Sequence, residues 1–163
     1  MLSIPTEETI SVEWFNACFA RAGLTGTVTG FDAERVGTGQ IGKCVRYSLR
    51  FSDQGELPAS VIGKFPSDDE NSRQTGVVLL NFLKEVRFYQ ELQHRIAIKT
   101  PRCYFAEIID QGPKFFLLLQ DLAPAQQGDQ LAGCSPQVAK AALAELVGLQ
   151  APAWCDETLH ELK

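Results

Sequence analysis

Between residues 9 and 22 the apolar positions Val12, Phe15, Phe19 and Ala22 recur at spacings of three and four, the stripe of an amphipathic helix. Thr9 or Ser11 can cap it, and Gly23 can end it. The period then drops to two. Val28–Arg35, Lys43–Phe51 and Ala59–Phe65 are short β-rich runs, separated by GTGQIG at 37–42 and SDQGELP at 52–58. Two successive hairpins predict a three-stranded antiparallel meander. PSDDENSRQ at 66–74 is a polar break. A helical stripe of Leu79, Phe82, Val86, Tyr89 and Leu92 then predicts one long amphipathic helix between Gly76 and Ile96. Beyond Pro101, Cys103–Ile109 and Lys114–Gln120 predict a second pair of strands about QGP at 111–113. A loop rich in Ala, Pro, Gln and Gly over 121–134 leads to Ser135, a helix cap with Pro136 at the first helical position. The face of that last helix runs through Val138, Ala142, Leu146 and Leu149.

The order of elements predicts an α+β fold: a five-stranded antiparallel sheet whose apolar face is covered by the long helix. A chain of 163 residues has room for one compact domain or two small ones. Its 45% hydrophobic and 21% charged residues are those of a globular protein. The net charge of -5, without any cluster of basic and aromatic residues, argues against a nucleic-acid surface. No apolar run approaches the length of a membrane span, and MLSIPTEET lacks the basic and apolar parts of a signal peptide. Five cysteines without a CxxC pair predict free thiols in a reducing, cytoplasmic compartment. Two histidines are too few for a histidine-rich metal site.

Four features carry candidate chemistry. GTGQIG lacks the GK[ST] ending of the phosphate-binding P-loop, since Cys44 follows Gly42–Lys43. It is followed by a strand rather than a helix, which also excludes the dinucleotide fingerprint. What remains is a glycine turn between antiparallel strands; many such turns bind nothing, but bare backbone can approach phosphates closely. Lys64 in ASVIGKFPS shares the alternation of Ile62, so it points to a sheet face that is largely covered and needs a partner there. Glu85 borders the helical stripe, three residues from Phe82 and from Phe88, whereas Glu91 lies on a different face. FFLLLQDLAP at 115–124 leaves the sheet and turns polar at Gln120–Asp121, as a core strand or as an adenine-contacting hinge does. Glycine turn, strand lysine and helix glutamate, in that order, match the division of labour in eukaryotic-type kinases.

VGTGQIGKCVRYSLRF, VIGKFPS, FLKEVRFYQEL, TPRCYF and FFLLLQDLAP together resemble the amino-terminal half of the aminoglycoside phosphotransferase-like kinases. The nearest branch is the ecdysteroid-kinase-like and choline-kinase-like group, and the resemblance runs over roughly residues 28–155. It implies the small lobe of a protein-kinase-like fold over 1–120, then an interlobe linker and the first helix of a helical lobe over 121–163. It implies ATP and Mg as cofactors and transfer of a phosphoryl group to a small hydroxylated acceptor. By the same resemblance Gly37, Thr38, Gly39, Gln40 and Gly42 lie over the phosphates. Lys64 holds the α- and β-phosphates, Glu85 pairs with Lys64, and Gln120, Asp121 and Leu122 contact adenine. Gln120 stands where many relatives have glutamate, and Gln150 stands where the family has a histidine before Trp154.

The family's catalytic aspartate with its asparagine, and the later magnesium-binding aspartate, have no counterpart after Asp121; the asparagines here are Asn16, Asn71 and Asn81. The expectation is therefore an inactive amino-terminal piece of a kinase, without catalytic or metal-binding residues of its own. Trp154, Leu146, Leu149 and residues 122–125 are then expected to be exposed and to favour self-association. The alternatives are a non-catalytic α+β interaction module and an unrelated ligand-binding module in which Lys64 and Glu85 are surface charges.

Overall fold

The computed structural model describes residues 2–37, 39–129 and 131–161. They form two compact units, Met1–Val86 with Pro101–Asp121, and Arg87–Thr100 with Leu122–Lys163.

The first unit begins with α1, Val12–Arg21, capped by Ser11, whose hydroxyl accepts the Trp14 amide. Five strands follow: β1 (Thr27–Val36), β2 (Gly42–Asp53), β3 (Ser60–Pro66), β4 (Cys103–Ile108) and β5 (Phe115–Gln120). The sheet order is β1-β2-β3-β5-β4 and every neighbouring pair is antiparallel. The α+β class, the meander and the second strand pair stand as the sequence predicts. The cover does not. The face expected to meet the long helix is packed by α1: Phe15 meets the Tyr47 ring at 5.3 Å, and Trp14 meets Phe105 and Phe116 at 5.1 and 5.5 Å. Asn16 fixes α1 to β1, donating to the Val28 carbonyl at 3.0 Å and accepting the Val28 amide at 2.8 Å.

The predicted helix over 76–96 is broken, and it starts earlier. Asp69 caps α2, Glu70–Val78, so part of the expected polar break is helical. Leu80 takes a φ of 56°, and α3, Asn81–Arg87, follows. The cause is a close packing. A Cβ on Gly76 would fall 2.3 Å from Cζ of Phe82. In one continuous helix, residues six apart point about 120° away from each other. Only a reversal at Leu80 brings the Phe82 ring back over Gly76, where it stacks on Phe115 at 4.6 Å. Leu79, counted in the sequence stripe, is 53% exposed as a result. β5 therefore has apolar cover on both faces: Phe116 and Leu118 lie in the α1 core and Phe115 lies under Phe82. That is why its five apolar residues run without alternation.

In the second unit the chain passes through a π turn at Phe88–Leu92 and a 3-10 turn at Gln93–Arg95. The segment 87–100 is tied to α4, Pro136–Ala153, by Ala97 donating to the Gly148 carbonyl at 2.8 Å and by Lys99 donating to Glu145 at 2.7 Å. The two units thus meet along the chain at Val86/Arg87, Thr100/Pro101 and Asp121/Leu122. Ser135 caps α4 and Pro136 opens it, as predicted. No residue of α4 is buried; Val138, Leu143, Val147 and the following Trp154 are all more than half exposed. No helix among the described residues is long and apolar enough to cross a membrane.

One core group is out of place. Tyr47 is wholly buried, and its hydroxyl has no hydrogen-bond partner among the described residues. Removing a buried polar group that bonds nothing relieves a desolvation cost. Tyr47→Phe should therefore leave stability unchanged or raise it by about 1 kcal/mol in urea denaturation. A fall of more than about 1 kcal/mol would show that the hydroxyl is bonded.

Candidate functional site

Alternation along β3 sends Val61, Gly63 and Phe65 into the α1 core and leaves Ile62 and Lys64 half-buried on the other face. The register sets Cys44 of β2 and Leu117 of β5 opposite Lys64, and Arg46 and Leu119 opposite Ile62. Lys64 meets Glu85 of α3 here. Its ammonium donates to both carboxylate oxygens, at 2.6 and 2.7 Å, with the two side chains 27% and 32% exposed. A two-oxygen grip on a half-covered ammonium holds it in place without closing it to solvent. Burial pushes the Cys44 thiol up from its ordinary value, against the opposite pull of the Lys64 charge.

The glycine turn approaches the same lysine. A Cβ on Gly42 would lie 3.3 Å from Cε of Lys64 and 3.0 Å from the Phe65 carbonyl oxygen, so a side chain there would press directly on the pair. Gly37 has a φ of 75°, and a Cβ on Gly39 would fall 2.4 Å from the Gly42 carbonyl oxygen. Both positions demand glycine, and together they fold the turn back on its own stem. Gln40 is exposed at this turn, and Thr38 lies outside the described residues.

The third predicted element is engaged differently. Gln120 uses its amide to donate to the Arg102 carbonyl at 2.8 Å, and its side-chain oxygen accepts the Arg102 amide at 3.2 Å. Asp121 is 5% exposed at its side chain. It accepts from Arg46 Nε at 2.7 Å, Arg46 Nη2 at 3.3 Å and the Ser60 hydroxyl at 2.8 Å. Its carboxylate thus fastens the end of β5 to β2 and β3. Leu122 is half exposed and belongs to the second unit. The structure brings Gly42, Lys64 and Glu85 together, pairs Asp121 with side chains of β2 and β3, and binds the Gln120 side chain to the Arg102 backbone just before β4.

Arg46, Ser60 and Cys44 were not singled out from the sequence. The signal for them was present: counting equally outward from the 52–58 turn keeps even-numbered residues of β2 opposite even-numbered residues of β3, on the face of Lys64. No protein-family model matches this chain, and no curated protein matches it in sequence.

Proposed function

We propose that the first unit is the nucleotide-binding lobe of an ATP-dependent phosphotransferase of protein-kinase-like fold, acting on a hydroxyl of a small molecule. The family it fits is that of the aminoglycoside phosphotransferase-like, choline-kinase-like and ecdysteroid-kinase-like kinases. One observation carries this: a lysine ammonium gripped by both oxygens of a helix glutamate, with a glycine backbone against its stem. That arrangement fixes the direction of the Lys64 side chain, and it leaves bare backbone where phosphate oxygens would sit. In ATP the triphosphate supplies the transferable group and most of the negative charge. Lys64 would hold its α- and β-phosphates, the 37–42 turn would lie over them, and the backbone of 120–122 would meet the base.

Magnesium does not fit the residues at hand. Among the described residues no group of three or more His, Cys, Asp or Glu side chains could hold a metal ion, and both oxygens of Glu85 are engaged by Lys64. Nor does the sequence supply a base for the acceptor hydroxyl in an HxD…N setting. The 163-residue chain is thus expected to bind Mg·ATP weakly and to transfer no phosphoryl group. Titration of Mg·ATP into the 15N-labelled chain tests the binding. Shifts are expected at residues 37–44, 62–64 and 117–121, with α1 unmoved. Shifts confined to α4, or none at all, would leave the interaction-module alternative in its place.

A further inference from the structure

The turn that carries the glycines is held from behind by the connector that follows β3. Asp68 sits there with its two carboxylate oxygens divided between the two stems of the turn. Oδ2 accepts from Arg35 Nη1 at 3.2 Å, two residues before Gly37. Oδ1 accepts from Lys43 Nζ at 2.6 Å, one residue after Gly42. Arg35 lies opposite Val45 in the β1–β2 register, so both cations leave the sheet on the α1 face, opposite Lys64. A backbone bond adds a third point: the Ser67 amide donates to the Ile41 carbonyl at 3.1 Å, inside the turn itself.

The connector is itself fixed. Arg73 of α2 donates to the carbonyls of Ser67 and Asp68 at 2.9 and 2.7 Å. The neighbouring Asp69 caps α2 through the Ser72 amide at 2.8 Å. Lys43 is 12% exposed at its side chain, and it also meets Glu7 at 2.5 Å, which joins the amino-terminal segment to the same point. The Lys43 hydrogen bond and the charges of Lys43 and Arg35 hold the Asp68 carboxyl below its usual range. Loss of Asp68 would leave Arg35 without this partner and remove the side-chain tie between the two stems and the connector after β3, while the β1–β2 ladder stays paired up to Val36–Cys44.

We infer that Asp68 is a positioning residue for the glycine turn: one carboxylate ties both of its stems to the end of β3, so that the turn's bare side faces Lys64. The inference rests on the nucleotide reading for its purpose and on the Arg35–Asp68–Lys43 geometry for its substance. Two consequences separate it from a general stabilising role. The turn should loosen while the sheet does not, and charge rather than shape at residue 68 should decide the outcome.

Amide hydrogen exchange on the whole chain measures this. In Asp68→Asn, which keeps the shape and loses the charge, the Ser67 amide, which donates to the Ile41 carbonyl, should exchange at least about threefold faster, with α1 and β5 unchanged. Asp68→Glu, which keeps the charge, should restore most of the protection. Exchange of the Ser67 amide equal to wild type in Asp68→Asn overturns the inference, and so does an equal acceleration throughout α1 and β5. Mg·ATP titration of the same proteins separates the two readings. A wild type that binds alongside an Asp68→Asn chain that binds equally well also overturns the positioning role. A wild type that binds no nucleotide removes the function proposed for this face, while hydrogen exchange still decides whether Asp68 holds the turn.

Discussion

Lys64→Ala is expected to weaken Mg·ATP binding by about ten- to a hundredfold, since a hydrogen bond to a charged group contributes about 1.5–3 kcal/mol. The loss should fall on binding and not on the fold. The pair is partly open to solvent, with Glu85 32% exposed at its side chain, so an unpartnered carboxylate there can rehydrate. Partly exposed ion pairs contribute about 0–1 kcal/mol, and urea denaturation should register no more than that. A charge reversal sharpens the test. Lys64→Glu combined with Glu85→Lys rebuilds an ion pair between the same two positions but moves the ammonium from strand to helix. If the strand ammonium is what an anion meets, the double variant keeps its stability and fails to recover binding. Binding that is indifferent to Lys64→Ala would remove the nucleotide function altogether.

Phe116→Ala should have the largest effect on stability, a loss of about 3–5 kcal/mol. The ring is wholly buried at the centre of an aromatic cluster, 4.6 Å from Phe65, 5.5 Å from Trp14 and 6.0 Å from Phe105. Its neighbours come from α1, β3 and β4. A Cβ on Gly63 would lie 3.0 Å from the edge of this ring, so β3 passes directly beneath it. Collapse into the space left by the ring would require the sheet and α1 to move together, which is the condition under which cavities stay open and costly. The measurement is the urea midpoint at unchanged slope. A loss below about 1 kcal/mol would show that α1 and the sheet can close over the gap.

Much of this was legible in the sequence, for identifiable reasons. The strands announced themselves because turns such as GTGQIG and SDQGELP separate them, and such turns are local. The Lys64–Glu85 pair was legible from the alternation of β3 and the helical stripe about Phe82, taken with the kinase-like order of glycine turn, strand lysine and helix glutamate. The break at Leu80 was not legible. It arises from Phe82 meeting Gly76 and Phe115, and the second of these contacts joins residues far apart in the chain. A periodic stripe passes smoothly through such a point. The role of α1 was hidden for a similar reason: its stripe of Val12, Phe15 and Phe19 shows that it has a buried face but not which sheet face it meets. Asp68 escaped notice because PSDDENSRQ reads as solvated charge until Arg35 and Lys43 are seen on either side of it.

The brevity of α3 also bears on how Glu85 is controlled. At seven residues it is too short to persist on its own hydrogen bonds. Its direction is set by the Phe82 ring, seated between Phe115 and the bare backbone of Gly76. The carboxylate that reaches the sheet is thus steered by a side chain without charge, one turn before it on the same helix. A single methyl group at residue 76 would act as a wedge against that ring, and its effect would pass through α3 to Glu85 and the Lys64 ammonium without touching a polar atom.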